Sequence, residues 1–375
     1  MYSFYFHIPF CEKKCNYCSF YIIPTENKDF SSMKDKYLES MKKELLQKKE
    51  KIKNNEIYSI YFWWGTPSEL GLERVVDLLN FIKKHFDLSK CVEVSFELNP
   101  NPLKQTLEFI DTLPNILDNF RFSIWVQSVE NNILQKSGRN YNFQLIEDLM
   151  KNISKNKNFR LNLDFISFGI EQDFSSFDKF LNKNQDKIDS LSIYTLELFP
   201  WSVWGSEYKT DEDKILDNFE KYTNIVKKYW YERYEISNFA KKWKESKHNQ
   251  IYWEMKEYIG IWSSASWFYT LHNWKNVRYT NSYWIQNYIN WIFEYKEHKN
   301  LTEQEFLEEQ IFLGLRTDKG IKLTKDIKKM LDLKKINEFK ELWYLREKNN
   351  FLYFTNKWFN LYNYIITEIL ELKTK

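Results

Sequence analysis

Glycine is scarce in this chain. It supplies 8 of 375 residues, about 2% where about 7% is usual. Few positions can therefore turn left-handed, or pass close to a ligand, without strain. Cysteine is rarer still, at four, with no pairing framework; disulfide scaffolding is excluded and a cytoplasmic location is expected. No apolar run approaches the roughly 20 residues of a membrane span, and no signal peptide precedes the first cysteines. Net charge is +3, so no strong field calls for nucleic acid or an anionic surface. No nucleic-acid partner is expected, and any membrane contact would be transient. One residue is over-supplied: tryptophan, 15 of 375.

Three of the four cysteines, Cys11, Cys15 and Cys18, fall within eight residues. They follow an alternating aromatic and apolar run, 2–8, that reads as a strand ended by Pro9. Zinc sites usually gather four ligands in pairs, and no second pair lies nearby. Three thiolates at x3 and x2 spacing suit three corners of a [4Fe-4S] cube, leaving the fourth iron open to a small molecule. The plainer alternative is an ordinary loop of three reduced cysteines, which so tight a cluster beside a strand end disfavours.

Strand-like segments at 3–8, 57–63, 92–97, 121–126, 160–166 and 190–196 alternate with helical patterns. Six β/α repeats imply parallel strands with right-handed crossovers, an α/β sheet or barrel. Functional groups then belong at the C-terminal strand ends. Polar motifs do fall there: Trp63-Trp64-Gly65-Thr66-Pro67, Glu97-Leu98-Asn99-Pro100, Trp125-Val126-Gln127-Ser128 with Arg139 beyond, and Asp164-Phe165-Ile166.

The Cys-x3-Cys-x-aromatic-Cys motif resembles the radical S-adenosylmethionine (SAM) superfamily. Tyr5-x-His7-x-Pro9-Phe10-Cys11 narrows the likeness to oxygen-independent coproporphyrinogen III oxidases and HemW-type heme chaperones. That resemblance implies an open (β/α)6 partial TIM barrel over residues 1–215, a family-specific extension over 216–300, and a small, mostly helical, winged-helix-like domain over 301–375. It implies a [4Fe-4S] cluster on Cys11, Cys15 and Cys18, whose open iron chelates SAM and whose electron releases a deoxyadenosyl radical. By position, Tyr5 and Tyr17 would flank SAM, and Gly65 and Thr66 would pass their backbone along its methionine end. Glu97, Gln127, Arg139 and Asp164 would meet its polar groups.

Within the family, oxidases carry a further cysteine two residues after the third, where this chain has Phe20, and a longer N-terminal extension. His248-Asn249-x-x-Tyr252-Trp253 is the pattern of the heme chaperones, and imidazole is a common heme ligand. The expected function is therefore a heme-binding protein that delivers heme to an acceptor, with an electron donor for its cluster. The alternatives are oxidative decarboxylation of coproporphyrinogen III, and an iron-sulfur scaffold that has lost SAM chemistry.

The departures from the family pattern run in one direction. Trp63, Trp64, Trp125, Trp201, Trp230, Trp243, Trp262 and Trp358 stand where the family has glycine. The expectation is that these are glycines encoded by UGA, a codon some bacterial lineages read as glycine and others as tryptophan. Trp253, tryptophan in the family too, should be genuine. The competing account is a diverged protein with a remodelled SAM site.

Anaerobic reconstitution should load about four irons. Cys18→Ala should abolish the cluster spectrum, and replacing Cys91 should leave it intact; a full cluster in Cys18→Ala would refute the ligand set.

Overall fold

The computed structural model describes residues 1–26, 29–155, 157–207, 210–262, 265–270, 276–282, 284–293, 295–355 and 361–370. The glycine expectation at Trp358 lies outside them.

Six strands run parallel and pair in chain order: β1 (Tyr2–His7), β2 (Ile57–Trp63), β3 (Glu93–Leu98), β4 (Phe120–Gln127), β5 (Arg160–Ser167) and β6 (Ser190–Thr195). Helices such as Leu72–His85, Leu103–Thr112 and Phe174–Asn184 make the crossovers. Strand residues alternate faces. One face carries Phe4, Phe6, Phe62, Val94, Phe96, Phe122, Ile124 and Leu163, all buried in the main core with helix residues such as Leu78, Leu79 and Phe109. The other face is polar: Ser3, Ser59, Ser95, Ser123, Asn162, Ser190 and Ser192 are each almost fully buried. Cross-strand hydrogen bonds such as Ser59–Ser3 and Asn162–Ser192 satisfy that inner face. A polar barrel interior costs stability unless every group is paired, and it prepares a binding site.

The open partial barrel is as the sequence implies. The sheet continues beyond it on both sides rather than closing. Tyr258–Ile261 adds a parallel strand beside β1, followed by antiparallel Ser266–Thr270, Asn276–Asn281 and Tyr295–Asn300. Asn238–Ala240 pairs antiparallel with β6. The expected division at residue 215 therefore needs correction. It falls inside the helix Glu212–Lys228, whose Phe219, Tyr222 and Val226 join the barrel core. Ile259, Ile261 and Tyr288 of the extension belong to that core too. Among the described residues the C-terminal part has a core of its own, with Ile311, Leu315, Phe339, Leu352 and Ile365, around three short antiparallel strands and four helices.

Among the described residues, eleven that are not glycine hold a left-handed φ, and six are tryptophan: Trp64, Trp230, Trp243, Trp262, Trp291 and Trp343. A bulky residue there is an outlier and costs about 1–2 kcal/mol. Six together approach the whole net stability of a folded protein, about 5–15 kcal/mol.

Candidate functional site

The cysteine loop leaves β1 through Pro9 and is seated by one close approach. A Cβ on Gly65 (φ +48°) would lie 2.1 Å from the Ile8 carbonyl oxygen and 2.8 Å from that of Phe10. Glycine alone lets the two chains meet. The Thr66 N–H then donates to the Phe10 carbonyl at 2.6 Å and the Ile8 N–H to that of Trp63 at 3.1 Å. Cys11 Sγ lies 3.2 Å from Thr66 Oγ1, and the Cys18 N–H donates to the Cys15 carbonyl. All three cysteines are unpaired and half-buried. Burial pushes the Cys11 thiol up to about 11 and raises that of Cys18; Cys15 adds to both shifts and Cys18 to that of Cys11. The loop thus desolvates thiolates it cannot itself neutralise, which suits iron as their counter-charge. Among the described residues no three ligating groups converge on a single ion; three corners of a cube bind three different irons.

Above the loop the strand ends gather the expected residues. The Tyr5 hydroxyl is hydrogen-bonded to His7 Nδ1 at 3.1 Å. Arg139 donates to the Tyr17 hydroxyl at 2.9 Å, and Tyr17 packs near Phe168 and Trp204. Glu97 accepts from the Tyr61 hydroxyl at 2.6 Å and from the Trp125 indole N–H. Burial first, then the nearby Asp164 carboxylate, pushes Glu97 up to about 8. Asp164, raised by its own burial, accepts from Ser123 and Asn162. Gln127 holds φ +67° at the end of β4, and strain of that kind clusters at functional sites. His7 Nε2, Asn99 Oδ1, Gln127 Oε1 and Arg139 Nε are buried without a hydrogen-bond partner. Orphaned polar atoms at one barrel mouth fit a polar ligand with both charges, as SAM is.

Indoles fill that mouth. Trp63 stacks on Tyr61 at 5.7 Å and meets Tyr5 and Trp64. Trp64 packs on Phe20 at 4.0 Å and on His7 at 5.0 Å. The fully buried Trp262 stacks on His7 at 4.3 Å.

His248 lies deeper and needs correction as an open heme ligand. It is fully buried. Its Nδ1 meets Ser59 Oγ at 2.9 Å and its Nε2 the Tyr252 hydroxyl at 2.8 Å, so neither ring nitrogen is open. It starts a short helix, Lys247–Trp253, whose first N–H groups are held by Glu93. Burial alone would raise the Glu93 carboxyl, but Arg160, Arg121 and those N–H donors outweigh it and hold it at about 2.

A family profile described as the radical SAM superfamily matches residues 5–183. The chain is 33% identical over 305 residues to the heme chaperone HemW of Buchnera aphidicola subsp. Schizaphis graminum, covering 80% of this chain and 78% of that protein. The chain belongs to the HemW-type heme chaperone family. HemW of Lactococcus lactis is 32% identical over 285 residues, 73% of this chain and 72% of its own. The solved coproporphyrinogen III oxidase HemN of Escherichia coli shares the fold with a TM-score of 0.79, covering 97% of this chain and 89% of that one at 18% identity. Radical SAM membership implies a [4Fe-4S] cluster and SAM. No described helix is long and apolar enough to cross a membrane.

Sequence reasoning missed Tyr61, which holds Glu97, and the Ser123–Asn162–Asp164 network. Their signal was present: along each strand the polar residues recur every second position.

Burial holds the His248 imidazole down at about 3, so it stays neutral in the fold while an unfolded histidine titrates near 6.5. Below pH 6.5 the unfolded chain binds a proton that the fold refuses. Stability should fall by as much as about 1.4 kcal/mol per pH unit toward pH 3. Glu93, lowered in the fold, adds loss only between about 4.5 and 2. Urea melts of His248→Gln should show a smaller loss between pH 6.5 and 4.5 than the parent, the rest coming from the His7 imidazole, which burial also holds down; an unchanged slope would contradict this placement.

Proposed function

We propose that this protein is a heme chaperone that holds a [4Fe-4S] cluster on Cys11, Cys15 and Cys18, binds SAM at the barrel mouth, and passes heme to an acceptor protein. The observation that carries the reading is the three-thiol loop seated by Gly65 against a mouth with unpartnered buried polar atoms. Membership of the HemW-type family supports the heme part. Bound together, cluster and SAM supply one-electron chemistry. The chain's own residues would bind and orient. Gly65 and Thr66 give backbone access, Gln127 and Asn99 offer free acceptors, and Arg139 positions the Tyr17 hydroxyl. Glu97, kept easy to protonate by its burial, would ionise beside a cationic amino or sulfonium group and so favour that end of the ligand.

Phe20 packs on Trp64 where the oxidases carry their further cysteine, so no thiol stands there for porphyrinogen chemistry. The reconstituted protein should bind heme, seen as a Soret band, and convert little or no coproporphyrinogen III with SAM and reductant. Steady turnover would instead favour the oxidase. Because His248 is closed in by Ser59 and Tyr252, heme affinity should survive His248→Gln. Loss of the Soret band in a variant with unchanged secondary structure would restore that residue as the ligand.

A further inference from the structure

We infer that the protein made in its own cell carries glycine at Trp64, Trp230, Trp243, Trp262, Trp291 and Trp343, and at Trp63 and Trp125. Three of these positions share one local structure. The helix Glu212–Lys228 ends with the Trp230 N–H donating to the Lys227 carbonyl and the Tyr231 N–H to that of Val226. The helix Ile285–Ile289 ends the same way, Trp291 to Tyr288 and Ile292 to Asn287. So does Leu333–Glu341, Trp343 to Lys340 and Tyr344 to Phe339. This paired pattern is the Schellman motif, whose left-handed residue is usually glycine. The chain itself shows the ordinary form after the helix Asn131–Lys136, where Gly138 (φ +85°) donates to Gln135 and Arg139 to Leu134. Trp230, Trp291 and Trp343 hold φ of +66°, +66° and +64°.

Trp243 (φ +67°) is the third residue of a turn closed by the Lys244 N–H on the Lys241 carbonyl. With Lys242 on the ordinary side, that is the type II position that asks for glycine. Trp262 follows the Tyr258–Ile261 strand at φ +103°, where side chains rarely go. Trp64 precedes Gly65 with φ +70°, two left-handed residues in a row.

Chance does not explain the set. Tryptophan is 15 of 375 residues, so fewer than one is expected among eleven such positions. Met255 closes its helix in the same manner and shows that a side chain can be tolerated once. Exposed tryptophans often mark a docking surface, and Trp230, Trp243 and Trp343 are 82%, 74% and 66% exposed. Their common backbone state accounts for them without a partner. Other tryptophans behave as tryptophans. Trp253 ends a helix at ordinary φ with Arg316 4.7 Å over its ring, and Trp267 stacks between Tyr269 and Tyr279 within a strand. Trp201 has no backbone need for glycine, so the structure adds nothing there to the family likeness.

The six backbone positions stand on φ alone. Trp63 and Trp125 hold no left-handed φ and rest instead on the family likeness and on the proposed SAM site, whose mouth their indoles occupy. A UGA codon translated with the wrong table produces this substitution and no other.

Peptide mass spectrometry of the protein purified from the cells that encode it should find glycine at all six backbone positions, and the gene should read UGA there and UGG at Trp253. Tryptophan at those positions, or UGG codons, would overturn the inference. In a standard expression host, replacing all six by glycine should raise the melting temperature by about 5 °C or more; an equal or lower value would count against it. Glycine at the six sites in a protein that binds neither cluster nor SAM would sink the proposed function and leave this inference standing.

Discussion

The site depends on one close contact between two loops. Gly65 brings the chain leaving β2 against the carbonyls of Ile8 and Phe10, and the hydrogen bonds from Thr66 and Ile8 close the join. That join fixes where the cysteine loop begins. It also sets Cys11 beside Thr66. Any side chain at Gly65 would separate the loops, because the obstruction is backbone rather than a movable side chain.

Below the mouth the barrel is built inside out for a globular protein, apolar against its helices and polar within. Such an interior survives because its groups are paired across strands: Ser3 with Ser59, Asn162 with Ser190 and Ser192, Tyr61 with Glu97. Pairing is dense in the lower layers, where Glu93 holds Arg160 and the start of the His248 helix, although the buried Arg121 Nε has no hydrogen-bond partner there. It breaks down at the top, at His7, Asn99, Gln127 and Arg139. Unpaired polar atoms are tolerated where a ligand supplies the missing partner. The gathering of four such atoms at the strand ends therefore points to the binding floor.

Much of this was legible in the sequence. The six strands fall within a residue or two of where the patterns put them, because a parallel strand buried on both faces and flanked by amphipathic helices leaves a strong periodic signal. Motifs at strand ends pointed to Glu97, Gln127 and Asp164, which lie on the third, fourth and fifth strands of the barrel. His248 was not legible. Its motif says which residues recur, but only the fold shows that Ser59 and Tyr252 close both ring nitrogens. Nor was the division at residue 215, since a helix that adds to an existing core carries no marker of continuity. Trp291 and Trp343 were likewise silent, because a left-handed φ is visible only in the backbone.

The tryptophans and the site are one question at the barrel mouth. Where the chain needs its backbone bare, to turn or to admit a ligand, it has indoles at Trp63, Trp64, Trp125 and Trp262. The most direct test is the electron paramagnetic resonance spectrum of the reduced, cluster-loaded protein with glycine at those four positions, before and after SAM is added. SAM on the open iron should change the spectrum. A spectrum indifferent to SAM, on a full cluster, would contradict the assignment of this mouth as the SAM site.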